Sequence, residues 1–273
     1  MLTLRQIKAF SSQGYCVVKD PKIADLKSKI REDLKKVALL IAAKMPDYTT
    51  LAKELSNESF EKILNQLNQH EQGQVAKITP VLYEAFPKYH SVLGLLDNKF
   101  IIRLCKALGL SHPSPSTVPV SRIDRPGNAF YDTPWHQDGW YTMFCPNAVT
   151  FWLPVTKLRR DMGLIQVVPK SHVQGLLPFK KFDEGYEPYV AANAQQLNSK
   201  TKEVMVRDDE VLVFNQYLLH KSGINTSNKC RVSLQLRYND LSTMTDVFST
   251  FTPVHAVKVK NRQEELLRVW SLS

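Results

Sequence analysis

Cysteine is scarce in this chain, with four among 273 residues (Cys16, Cys105, Cys145 and Cys230). They are scattered and form no CxxC pair. That disfavours a zinc clamp or a disulfide framework and suits a reducing cytoplasm. Cys145 reads as a small buried hydrophobe. No apolar run reaches about eighteen residues, so no transmembrane helix is expected. The opening segment MLTLRQIKAFSSQGY lacks a long apolar core and a small-residue cleavage site, which argues against a secretory signal. Internal repeats and low-complexity tracts are absent. The net charge is +10, yet no Arg-rich run with interleaved aromatics occurs, so nucleic acid is not the expected partner. Dispersed basic residues read either as an ordinary solvated surface or as a preference for anionic small molecules, nucleotide-linked or CoA-linked among them.

What is present divides the chain by pattern. Residues 3–10 read as a short helix and Tyr15–Val18 as a strand. Ile23, Leu26, Ile30, Leu34, Val37 and Ile41 form one apolar helical stripe. Phe60, Ile63, Leu64 and Leu67 repeat the signal, and Val75 to Phe86 predicts a further helix, bent or started at Pro80. Asp97 or Asn98 caps a last helix, and Gly109 ends it. From about residue 115 short β-rich segments take over: Val118–Arg122, Ala148–Leu153, Gly163–Val168, Val211–Phe214 and Val232–Tyr238. Val232, Leu234, Leu236 and Tyr238 alternate as in a strand with one buried face. The stretch 180–200 reads as a long loop. Helices followed by many short strands predict an α+β fold. The expected architecture is one domain over 1–273, mostly helical over 1–114, with a double-sheet β core over 115–240 and a strand or tail over 241–273.

The chemistry gathers around His136-Gln137-Asp138, His220 and Arg231. Two imidazoles and one carboxylate hold a non-haem iron(II) on one face and leave positions open on the other. On a strand, residues 136 and 138 point the same way, so one metal can touch both, and His220 closes the triangle from a neighbouring strand. Arg231, eleven residues past His220, offers a planar fork for a co-substrate carboxylate; alone it would read as a rim salt bridge. Ser222 offers a hydroxyl to the same carboxylate or is simply a turn serine. Trp135, Trp140, Tyr141 and Phe144 wall a substrate pocket or belong to a core.

Taken together, Trp135-His136-Gln137-Asp138, the strand Ala148–Pro154, the segment Gly163–His172, the run His220–Asn225 and Arg231 resemble the phytanoyl-CoA dioxygenase family. The likeness covers roughly residues 115–240, in the family's order. It implies a double-stranded β-helix (jelly-roll, cupin-like) with the N-terminal helices packed on one sheet. It implies Fe(II) ligands at His136, Asp138 and His220, with 2-oxoglutarate contacts at Arg231 and Ser222. Trp152 falls where the family has a tryptophan beside the co-substrate, and also reads as a core aromatic. The implied reaction takes 2-oxoglutarate and O2 to succinate and CO2 while a small-molecule substrate is oxidised at a C–H bond. Asp138 is intact, whereas related halogenases put a small residue there, so hydroxylation is the expected outcome. Lys170 stands where the family's Pro-Gly-Ser-His turn carries glycine, and His172 is expected to serve that turn rather than a metal. Two other readings stand beside this one: a jelly-roll protein that binds metal or ligand without turnover, and an oxygenase acting on a nucleic-acid-associated substrate.

Overall fold

The computed structural model describes residues 2–127, 133–140, 145–180, 190–191 and 201–246. Helix α1 (Leu4–Gln13) opens with a capping box between Thr3 and Gln6 and closes at Gly14, whose φ of 84° turns the chain into strand β1 (Tyr15–Lys19). Asp20 then caps α2 (Pro21–Lys44), with Pro21 set where a helix loses nothing by lacking an N–H. The predicted stripe on α2 is its buried face, except that Leu26 and Ile41 are half-buried and Lys27, Ala38 and Ala42 complete it. Three more helices, α3 (Thr49–Glu54), α4 (Phe60–Glu71) and α5 (Ile78–Ala85), follow. The last begins at Ile78 rather than Val75, so Pro80 lies in its first turn, where its missing donor is tolerated. After α6 (His90–Leu93), Asn98 is the residue that caps α7 (Lys99–Ala107), through Oδ1 to the N–H groups of Phe100 and Ile101. No described helix is long and apolar enough to cross a membrane.

These helices lie against one face of an antiparallel sheet. Its strand order is β1–β9–β4–β11–β2, with β3 also on β11. The members are β2 (Pro113–Pro115), β3 (Val120–Asp124), β4 (Ala148–Pro154), β9 (Glu210–Asn215) and β11 (Arg231–Asp240). Strand β1 pairs with β9, so the N-terminal region is woven into the sheet rather than merely resting on it. A second sheet holds β5 (Ile165–Val167), β8 (Lys202–Val204) and β10 (His220–Lys221), and β6 (Phe179–Lys180) pairs with β7 (Val190–Ala191). That last pair breaks the long loop expected over 180–200; the rest of that stretch lies outside the described residues. Of the expected C-terminal strand or tail, Leu241–Asp246 is a 3-10 helix and the remainder lies outside them too.

Two cores result. The larger joins Ile23, Ile30, Leu34, Ile63 and Leu82 of the helices to Phe151, Val213, Val232, Leu234, Leu236 and Tyr238 of the sheet. The smaller lies between the sheets, where Trp152, Leu212 and Phe214 meet Ile165, Val167 and Val204. Strand β11 therefore has two covered faces, not the single one its alternation predicts. Arg231, Ser233, Gln235, Arg237 and Asn239 share the face that carries Trp152, since Gln235 is its cross-strand partner. All four cysteines are free and buried.

Candidate metal centre

His136 and His220 are fastened through their main chains. Each donates its N–H to the other's carbonyl, at 2.9 and 3.0 Å, in an isolated antiparallel bridge. The HxD segment is thus not a regular strand. One bridge residue leads directly into a 3-10 turn, Asp138–Trp140, and this turn swings the carboxylate round to the imidazoles. His136 Nδ1 lies 2.7 Å from the Pro134 carbonyl and His220 Nδ1 lies 2.9 Å from that of Leu218. A carbonyl only accepts, so each Nδ1 carries the hydrogen and each Nε2 carries the lone pair. Asp138 is gripped at both oxygens: Thr150 Oγ1 donates to Oδ2 at 2.5 Å and Arg237 Nη2 to Oδ1 at 2.9 Å. One ligand atom from each of His136, Asp138 and His220 lies within 4.8 Å of the others, and all three side chains are buried.

Electrostatics suits a cation. Burial opposes ionisation of Asp138, but Arg237 and the two imidazoles outweigh it and hold the carboxyl well below the usual range. Burial and the neighbouring imidazole push His136 well below an ordinary histidine, and burial lowers His220 as well. The set is one carboxylate and two neutral imidazoles, the forms that bind a metal. Gln137, between the ligands in sequence, serves the scaffold. Its Nε2 donates to the carbonyls of Gly175 and Tyr217, and its Oε1 accepts from Leu177 N–H, so the segment after β5 is stitched to the HxD turn.

Arg231 is fully buried at the start of β11. Its Nε donates to Asp124 Oδ2 at 3.1 Å, Nη2 lies 2.8 Å from the same oxygen, and Nη1 donates to the Met162 carbonyl at 3.0 Å. Asp124 also binds Arg122 at 3.0 Å, and the two guanidiniums keep it ionised against its burial. Among the described residues, one of the hydrogens on each terminal nitrogen of Arg231 has no partner. Trp152 lies beneath, its ring centroid 5.9 Å from the guanidinium carbon, with a buried Nε1–H that has no partner among the described residues. The motif order, the ligand geometry and this arginine point the same way, and the family profile for phytanoyl-CoA dioxygenase (PhyH) matches residues 10–233. The chain belongs to the phytanoyl-CoA dioxygenase family.

Solved structures share the fold of this family member. EvdO2 from Micromonospora carbonacea var. aurantiaca, complexed with 2-oxoglutarate, is 14% identical with a TM-score of 0.54, over 87% of this chain and 91% of that one. The epimerase SnoN, in complex with Fe3+, alpha ketoglutarate and nogalamycin RO, is 16% identical with a TM-score of 0.54, over 92% and 90%. EctD from S. alaskensis, with 2-oxoglutarate and 5-hydroxyectoine, is 16% identical with a TM-score of 0.54, over 89% and 77%.

The remaining residues singled out by the phytanoyl-CoA dioxygenase motifs fall as follows. Ser222 is buried two residues past His220, its N–H bonded to the Thr133 carbonyl. Lys170 takes the glycine position of the family's turn with a φ of 68°, a left-handed conformation that its N–H bond to Gln13 holds in place. His172 lies apart from the ligand cluster, over Gly14, with Nε2 3.0 Å from the Ser11 carbonyl, in keeping with a role in the turn. Trp135 is buried and Lys221 Nζ stands 5.0 Å from its ring. Tyr141, Phe144 and the Trp140 side chain lie outside the described residues. Sequence reasoning gave no role to Thr150, Arg237 or Gln137. The one signal for Arg237 was its place in the alternation that starts at Arg231.

Proposed function

We propose that this protein is an Fe(II)- and 2-oxoglutarate-dependent oxygenase that hydroxylates a small, anionic metabolite or biosynthetic intermediate. The reading takes 1–273 as one oxygenase domain and the two facing sheets as halves of a double-stranded β-helix. One observation carries it: two Nε2 lone pairs and an ionised carboxylate converge within 4.8 Å, with every other polar atom of the three side chains tied to scaffold groups. That donor set fits a facial site with open positions. Bound there, Fe(II) would supply the activation of O2 that couples 2-oxoglutarate decarboxylation to substrate oxidation.

The chain's own groups do the rest. Pro134 and Leu218 fix the imidazole tautomers, and Thr150 and Arg237 aim the carboxylate. The two uncommitted hydrogens of Arg231 suit the distal carboxylate of 2-oxoglutarate in a bidentate grip, Ser222 adds a hydroxyl, and the partnerless indole N–H of Trp152 is a donor for the same ligand. Burial of the whole cluster excludes water. Iron or 2-oxoglutarate in EvdO2, SnoN and EctD supports these assignments. The net charge of +10 favours an anionic substrate. Succinate formation from 2-oxoglutarate, with Fe(II) and O2 supplied, tests the reading. Wild type forms succinate even without a primary substrate, while His136→Ala and Asp138→Ala lose it by at least about a hundredfold. Unchanged turnover in both variants refutes the ligand set.

A further inference from the structure

Arg237 is nine-tenths buried on the inward face of β11 (9% exposed), and its bonds leave one edge incomplete. Nη2 spends both hydrogens, one on Asp138 Oδ1 at 2.9 Å and one on Gln235 Oε1 at 2.5 Å. Nε is buried and has no acceptor among the described residues. Nε–H and one hydrogen of Nη2 share one edge of the planar group, so an oxygen taken by Nε lies beside an acceptor of Nη2 and within a few ångströms of Asp138, which Nη2 also holds. The charge is incomplete as well. Among the described residues Asp138 is the one carboxylate that pairs with Arg237, and it is also the only carboxylate in the ligand cluster. A single negative charge serving a buried guanidinium and a dication leaves a positive excess, which a buried site tolerates only when a ligand brings the counter-charge.

We propose that Arg237 is a co-substrate-binding residue: it holds Asp138 with Nη2 and donates Nε–H to the 1-carboxylate of the 2-oxo acid, next to that ligand. The assignment rests on the metal centre proposed above. It gives the two arginines of β11 separate tasks, Arg231 gripping the distal carboxylate and Arg237 the carboxylate beside the ligand cluster. Pyruvate carries the 2-oxo acid head without the distal carboxylate, so it separates the two.

The experiment is calorimetric titration of the Mn(II)-loaded full-length protein with 2-oxoglutarate and with pyruvate, for wild type, Arg237→Gln, Arg237→Lys and Arg231→Gln. Arg237→Gln weakens both acids by a similar factor, at least about tenfold, as expected for losing a charge-assisted bond. Arg231→Gln weakens 2-oxoglutarate and leaves pyruvate unchanged. Arg237→Lys keeps the charge without the fork, and weakens both acids less than Arg237→Gln; its retained near-ultraviolet circular dichroism guards against loss of fold. Failure of wild type to take up Mn(II) sinks the metal centre itself and this assignment with it. Mn(II) and 2-oxoglutarate binding in wild type, matched for both acids by the Arg237 variants, overturns the role of Arg237 alone. So does a loss of 2-oxoglutarate affinity in Arg237→Gln with pyruvate unaffected.

Discussion

Lys27 is a cation without water. It sits on the sheet-facing side of α2, fully buried, and donates to the carbonyls of Arg207 and Glu210 at 3.0 and 2.6 Å. One turn on, Arg31 forks onto Asp208, so the helix is pinned to the turn before β9 by two cations. Burial lowers Lys27 to about 8, against an ordinary lysine value of 10.5, despite the acidic residues around it. The unfolded chain then binds this proton more tightly than the folded one. Stability rises as pH climbs from about 8 toward the ordinary value, and the penalty is full below about 8. Urea midpoints followed across that window should rise for wild type relative to Lys27→Met; parallel curves would show that Lys27 does not titrate in the fold. At this scale the cluster of His136, Asp138 and His220 was legible, because these are distinctive types at distinctive spacing. Thr150 and Arg237 were not. A threonine in an apolar strand reads as β-propensity, and an arginine alternating with Leu236 and Tyr238 reads as the solvent side. Only the second sheet, brought over by distant segments, turns that side inward.

Among elements, two glycines cross at close range beside the Met162 carbonyl that Arg231 bonds. Gly163, at φ 74°, approaches Gly223 so closely that a Cβ there would stand 2.2 Å from the Gly223 carbonyl oxygen. Gly223 N–H bonds the Leu164 carbonyl at 3.0 Å across the same gap. The approach keeps the Met162 carbonyl on Arg231 and places Ser222 on the adjoining strand end. It also explains why the strand expected from Gly163 begins at Ile165: a left-handed residue ends extended pairing. Gly163→Ala meets backbone on the far side and carries an unfavourable φ besides. The expected result is a loss of about 2–4 kcal/mol, read by chemical denaturation, together with weaker 2-oxoglutarate binding in whatever protein remains folded. Stability within about 0.5 kcal/mol of wild type would refute the close contact. Five of the helices followed from periodicity and caps, Asn98 included, as did the strands read from β-rich runs. Pairing did not. Nothing local in Tyr15–Lys19 announces that it will line up with β9.

At the scale of the whole molecule, the centre draws on both sheets. His220 comes from β10 in the smaller sheet, while Thr150 and Arg237, on β4 and β11 of the larger, hold Asp138. A ligand bound only by the folded arrangement stabilises everything that arrangement includes. At a hundredfold excess over Kd the gain is about 2.7 kcal/mol, which for a chain of this size is several degrees in Tm. Mn(II) with 2-oxoglutarate should raise the Tm of wild type by that order, and a chelator should reverse it. Asp138→Ala should show no shift; an equal shift there would place the ion elsewhere.

The mutual main-chain bridge of residues 136 and 220 bears on how the proposed metal would be taken up. Two imidazoles already aligned by the backbone need no search when an ion arrives, and they do not scatter when it leaves. On that proposal, a molecule stripped of its ion is already arranged to accept another.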